Sequence, residues 1–165
     1  ANLSIRNVGT MTWTAQSTNA GTLTYSIDKV AVTKRLQRFL IRYDNYAGRY
    51  GGGVHRTIAG CADPSLNGTS EFPAQIEVLH TGLTITVQTV ASGSICTQTG
   101  QLSQAGQMGS PAGSFMCDDG SSGTFSFSEV QVNPQGITAR YEANYSSPPG
   151  CRANGWFGGF RATTF

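Results

Sequence analysis

Apolar side chains along this chain recur at every second position. Met11 and Trp13 form one such run, followed by Leu23, Tyr25 and Ile27, then Ile76 and Val78, and then Leu83, Ile85 and Val87. Phe125 and Phe127, Val130 and Val132, and Ile137, Ala139 and Tyr141 continue the alternation. Side chains two apart share one face of a strand, so each run marks an inward-facing stripe. Helical spacing is weak by comparison. The nearest candidate, Val32 to Arg42, is basic and lacks a good cap.

Turn chemistry separates the runs at short intervals. Asn19-Ala20-Gly21, Asp28-Lys29, Asn67-Gly68, Thr81-Gly82, Ser92-Gly93, Asp119-Gly120, Pro134-Gln135-Gly136 and Pro148-Pro149-Gly150 supply the residues that tight turns need. The reading is all-β: an antiparallel meander that closes into a barrel or folds into a sandwich, since either solves the problem of open sheet edges. Two segments have the texture of partners at the closure. Tyr46 to Gly52 and Gly155 to Arg161 both mix aromatics, glycines and an arginine, and a ring lying over a partner-strand glycine would cover it. A boundary falls near residue 43. Residues 1–43 form an N-terminal arm with a hairpin from Gly21 to Leu36 about Asp28-Lys29, and residues 44–165 form the barrel or sandwich.

The four cysteines, Cys61, Cys96, Cys117 and Cys151, show none of the paired spacings of zinc, redox or haem sites. Two disulfides are expected. Four cysteines allow three pairings, and the strand pattern favours two of the possible bridges. Pairing the closure segments brings Cys61 to the same end as Cys151. An antiparallel hairpin of Ile95 to Ser103 with Gly113 to Asp118, joined by a loop over 104–112, brings Cys96 near Cys117.

Composition agrees with export. Charged residues make up only 12% of the 165 positions and 21 are glycine, which suits short strands and turns on a neutral polar surface. No apolar run approaches the roughly 20 residues of a membrane-spanning helix. A start at Ala1 without a methionine is what removal of a signal peptide would leave. The expected location is extracellular or on the cell surface, with the periplasm as an alternative.

The stretch Gly21-Thr22-Leu23-Thr24-Tyr25-Ser26-Ile27-Asp28-Lys29-Val30-Ala31-Val32-Thr33-Lys34, continuing to Arg38, resembles a segment recurring in uncharacterised secreted β-rich proteins of proteobacteria. Cys96 to Gly100, Gly113 to Cys117 and Gly123 to Phe125 also look like elements of such proteins. The resemblance implies bacterial origin and export, and it carries no catalytic residues.

Candidate chemistry is sparse. His55 and His80 are the only bases suited to neutral pH, and neither lies in a nucleophile motif, so solvated positions are expected for both. Asp118-Asp119-Gly120 lacks the alternating order of a calcium loop and reads as a turn. No catalytic residue, metal or cofactor is expected. The aromatic cluster Tyr43, Tyr46, Tyr50, Trp156, Phe157 and Phe160 is either strand closure and core or a sugar-binding face, with Tyr43, Tyr46, Tyr50 and Trp156 as the candidate ligand contacts. Three glycosylation sequons, at Asn2, Asn67 and Asn144, are close to chance in so Asn- and Ser-rich a chain.

Charge is divided along the chain. Residues 1–56 carry eight basic groups against two acids, and residues 57–165 carry three against seven. Opposite signs favour contact between the two halves, within one chain or between copies. Lys34, Arg35, Arg38 and Arg42 are the candidate assembly residues, and nucleic acid is not an expected partner for an exported protein. The leading expectation is a non-enzymatic structural or adhesive subunit that assembles with copies of itself through the arm. The alternatives are a monomeric barrel binding a surface glycan or small ligand, and a hydrolase without a recognisable motif.

Overall fold

A computed structural model describes residues 4–17, 19–39 and 43–162. The chain divides into two compact units, residues 1–41 and 42–165, which sets the boundary slightly earlier than the sequence pattern did.

The first unit is a three-stranded antiparallel sheet of β1 (Met11–Ala15), β2 (Ala20–Ile27) and β3 (Val30–Gln37), in that order. Asp28 and Lys29 both take positive φ, 47° and 74°, the conformation of a two-residue hairpin turn that matches the strand twist. Gly21 pairs with Leu36 and Ile27 with Val30, so the hairpin has the register read from the sequence. The basic helix candidate is therefore strand as far as Gln37. The β-branched Val30, Val32 and Thr33 suit a pleated sheet, and the cross-strand partners on β2 fix them there.

Partners directly opposite one another share a face. Met11, Trp13, Leu23, Tyr25, Ile27, Val30, Val32 and Leu36 accordingly line one side of this sheet, while threonines and Ser26 dominate the other. The Trp13 ring lies over Gly21, where a Cβ would collide with it. Met11, Trp13, Ile27, Val30 and Leu36 are all exposed.

The second unit is a closed barrel of eight antiparallel strands: β4 (Gly48–Ala59), β5 (Gly68–Thr81), β6 (Thr84–Ala91), β7 (Ser94–Ala105), β8 (Met108–Cys117), β9 (Ser122–Val132), β10 (Gly136–Ser147) and β11 (Arg152–Arg161). Each strand pairs with the next, and β11 pairs with β4 to close the ring. The closure partners are those the glycine and aromatic texture indicated, with Phe160 opposite Gly51 and Phe157 opposite Val54. One short 3-10 turn, Pro64–Leu66, is capped by the Asp63 side chain.

Both disulfides have the expected pairing, Cys61–Cys151 and Cys96–Cys117. Cys96 and Cys117 face each other directly across β7 and β8. The loop expected over 104–112 is not there. Strand β7 runs to Ala105 and β8 starts at Met108, leaving a turn of Gly106 and Gln107 with Gly106 at φ 62°. Pro111, which read as a loop residue, sits at a register shift between β8 and β9, where a missing amide hydrogen interrupts no regular ladder.

Candidate functional site

The bore of the barrel is built differently at its two ends. At one end, where Thr81 turns into Thr84 and Ala105 into Met108, the segment before β4 folds across the opening. Tyr46 and Tyr50 are both 0% exposed there, among Val78, Ile85, Leu102, Val130 and Ile137. Gly109 makes the room, since a Cβ at that position would stand 2.8 Å from the Tyr46 hydroxyl oxygen.

A hydrogen-bond network fixes this plug. The Tyr50 hydroxyl donates to the Tyr46 carbonyl at 2.9 Å, and Arg161 donates to the Tyr50 hydroxyl at 2.9 Å and to the Ala47 carbonyl at 3.0 Å. The Gln104 amide accepts from the Asp44 backbone N–H at 3.0 Å and donates to its carboxylate at 3.1 Å. His80 Nδ1 accepts from the Tyr46 amide at 3.4 Å, which leaves its Nε2 hydrogen to donate to the Gly82 carbonyl at 2.9 Å. Burial, aided by the Asp44 charge, pushes the Tyr46 phenol up to about 12. Burial raises Tyr50 also, with the Arg161 charge and hydrogen bond pulling it back.

The opposite end is a mouth. It is rimmed by the β6–β7 turn, the β8–β9 turn at 118–121, and the β4–β5 and β10–β11 loops. Both disulfides lie at this rim: Cys61–Cys151 ties the last two loops together, and Cys96–Cys117 joins the ends of β7 and β8. Beneath the rim is a cavity of about 270 Å³. Phe115, Phe125, Phe127, Phe157 and Tyr141 form most of its apolar wall. Their rings interlock, with centroids 4.7 Å apart for Phe125 and Phe127 and 5.2 Å for Phe127 and Phe157. An eight-stranded barrel is wide enough either to be filled by its own side chains or to hold one small ligand, and this one is packed at the plug and open toward the rim.

Polar groups reach into this apolar bore. Arg56 projects inward from β4 with its guanidinium carbon 5.2 Å from the Phe72 ring centroid. Its Nε is buried without a hydrogen-bond partner, as is the Oε1 of Gln98 on β7. Gly155 lies between Arg56 and Tyr141, pairing with the first across β4 and with the second across β10. A Cβ on Gly155 would run into the His55 carbonyl, so the position is glycine, and no side chain separates the guanidinium from the phenol. Burial lifts the Tyr141 phenol well above its ordinary value, against the opposing pull of the Arg56 charge. The Tyr141 and Tyr145 hydroxyls make no hydrogen bond among the described residues, and Asp119 is the one acidic residue lining the cavity.

The sequence-derived ligand candidates are not one face. Tyr46 and Tyr50 are plug, because the turn into β4 carries them inside the barrel. Tyr43 is exposed, and Trp156 faces outward at 55% exposure. One face of the Trp156 ring is already covered by His55, stacked at 3.9 Å and 8°. His55 in turn hydrogen-bonds Glu71 at 2.8 Å, so it is a member of an outer-surface cluster and not a solvated side chain. The expectation of a solvated His80 is likewise replaced by its role at the plug. The residues that do converge, Arg56, Gln98, Phe72, Phe115, Phe125, Phe127 and Tyr141, were not among the site candidates read from the sequence, although the alternation marked Phe125, Phe127 and Tyr141 as inward. The usable signal was Arg56 in phase with Tyr50 and Val54 on an otherwise inward stripe.

The candidate assembly residues also separate. Lys34 and Arg35 are exposed neighbours on β3 and therefore point to opposite faces of the sheet. Arg38 lies just past the strand and is exposed, and Arg42 lies outside the described residues. Asp118 accepts a hydrogen bond from the Ser94 hydroxyl at 2.6 Å, which holds its carboxyl below the usual range. Asp119 accepts from the Ser121 amide. Among the described residues, no group of three or more histidines, cysteines or acids could hold a metal ion.

No protein-family model, curated protein or solved structure matches this chain. Its two disulfides suggest an oxidising, extracytoplasmic environment.

Proposed function

We propose that the protein is an exported binding module, extracellular or at the cell surface, whose barrel takes one small and mostly apolar molecule through its mouth. The observation that carries this reading is the 270 Å³ aromatic cavity with two buried polar atoms, Arg56 Nε and Gln98 Oε1, left without partners. Buried polar groups in folded proteins are nearly always paired, because an unmade hydrogen bond costs about 1–3 kcal/mol. Pockets that join a largely apolar wall to a few convergent polar groups are the usual form of a ligand site. Amide-resolved NMR of the full chain with a panel of small aromatic fragments tests the reading. Saturable shifts confined to β4, β7, β9 and β10 at the mouth are expected. Shifts around Trp156 alone would move the site to the outer wall.

The apolar face of the N-terminal sheet supports a second reading, assembly with copies of this chain. Five large apolar side chains exposed on one side of a three-stranded sheet form a surface of the kind that marks protein contacts. The arm, residues 1–41, carries five basic groups against one acid, and the barrel unit six against eight. Light scattering of the full chain, compared with a Trp13→Ser/Val30→Lys variant, is the test. A wild type that is monomeric at every concentration rules out self-assembly.

A further inference from the structure

The chemistry of the mouth narrows the ligand class. This step rests on the barrel being a binding module and adds the identity of the group it reads. Aromatic rings dominate the apolar part of the cavity wall, and among the described residues its one cation is Arg56. That guanidinium has no carboxylate within ion-pairing distance and donates no hydrogen bond among the described residues. It lies over the Phe72 ring, 5.2 Å from its centroid. By contrast, Arg161 at the plug end also lies over a ring, that of Tyr50, yet donates to two oxygens. Arg140 and Arg49 on the outer wall each face a glutamate at 3.0 Å. Arg56 thus stands apart as a cation held in an apolar bore with its donors unspent.

A guanidinium in such surroundings favours an anion, and its planar fork matches a carboxylate. Asp119, the only acid lining the cavity, already accepts the Ser121 amide within the rim turn. The Tyr141 hydroxyl, across Gly155 from Arg56, can donate to the same oxyanion. Gln98 brings an amide from the wall formed by β7, where its orphan oxygen can accept from a hydroxyl or N–H on the ligand body. Size sets a further limit. An apolar cavity of roughly 150 Å³ holds benzene, so about 270 Å³ suits a molecule of roughly eleven non-hydrogen atoms.

We infer that the barrel mouth is a site for a small aromatic monocarboxylic acid, with the carboxylate on Arg56 and Tyr141, the ring among Phe115, Phe125, Phe127 and Phe157, and a polar substituent reaching Gln98. Larger glycans and long-chain lipids do not fit this volume.

The test compares hydrocinnamic acid with its neutral amide, hydrocinnamamide, by calorimetry and amide-resolved NMR on the full chain. The acid should bind roughly tenfold or more tightly than the amide, the range of a charge-assisted hydrogen bond. In an Arg56→Met variant the acid-to-amide ratio should fall to about one, while Arg56→Lys, which keeps the charge, should retain most of the preference. A phenolic hydroxyl added to the acid should tighten binding in the wild type and lose that gain in Gln98→Leu. If acid and amide bind the mouth equally well, the carboxylate assignment fails and the binding-module reading stands. If neither shifts a mouth resonance, both fail. If Arg56→Met does not fold, an acid-to-amide ratio that collapses in Arg56→Lys overturns the charge argument.

Discussion

The plug end and the mouth end of the barrel are made from the same eight strands, and they solve the problem of an open bore by different means. At the plug, two tyrosines with no exposed surface fill the space; the Tyr50 hydroxyl is hydrogen-bonded to the Tyr46 carbonyl and to Arg161, while the Tyr46 hydroxyl and the Arg161 Nε are buried without a hydrogen-bond partner. At the mouth, interlocking aromatic side chains line a cavity of about 270 Å³, and the two disulfides hold the surrounding loops and strand ends. Core packing stabilises one end. Covalent bridges restrain the other, where packing is incomplete.

Truncating one side chain at each end separates the two modes of packing most directly. Tyr50→Ala should cost about 3–5 kcal/mol in denaturant unfolding, because it opens a cavity and strips Arg161 of a partner. Tyr145→Ala at the partly exposed rim should cost about 1–2 kcal/mol. Equal losses would mean that the two ends are packed alike. Replacing Cys61 and Cys151 with serine should cost about 2–4 kcal/mol. Its local signature separates the ends further: hydrogen exchange should rise in the loops at 60–67 and 148–151, with the amides around Tyr46 and Tyr50 keeping their protection.

The plug should also announce itself in alkali. The Tyr46 phenol is raised from 10.0 to about 12 in the folded protein, so the folded state holds its proton more tightly than the unfolded chain does. The resulting stability is fully present below pH 10 and is lost as pH rises through about 12. Tyr46→Phe should flatten that part of the stability profile, measured by chemical denaturation across the alkaline range. The smallest effect is expected outside the bore. Arg49→Ala breaks an exposed pair with Glu77 on the outer wall and should change stability by no more than about 0.5 kcal/mol. A larger loss would place part of the barrel's stability on its outer surface.

Much of the barrel was legible because its signals are local. Alternation told strands from helices, the turn residues divided them, and the hairpin about Asp28-Lys29 has its predicted register because a two-residue turn leaves little freedom. Cys96 and Cys117 could be paired for the same reason, since register within one hairpin follows from period two even though the turn was misplaced by the Gly, Ser and Pro content of 104–112. The site was less legible. Tyr46 and Tyr50 read as either strand-closure core or a sugar-binding face, and the glycines beside them, which need ring cover, favoured the core. In the fold, the chain doubles back across the bore before β4 and buries them.

The meander of neighbouring strands and the Cys96–Cys117 pair could be read from contacts between adjacent segments, and the pairing of the two closure segments with Cys61–Cys151 from their shared glycine and aromatic texture, across a sequence separation of 90. Only the tertiary structure decided which inward side chains meet and which stand apart. That depends on how eight strands curve around a common bore, on the register shifts in β8, β9 and β10, and on the plug of residues 44–47 filling one end. Arg56 is one basic residue among eleven in the sequence. It becomes the feature of the site because the closed ring turns it inward, and because Gly155 beside it has no side chain to cover it.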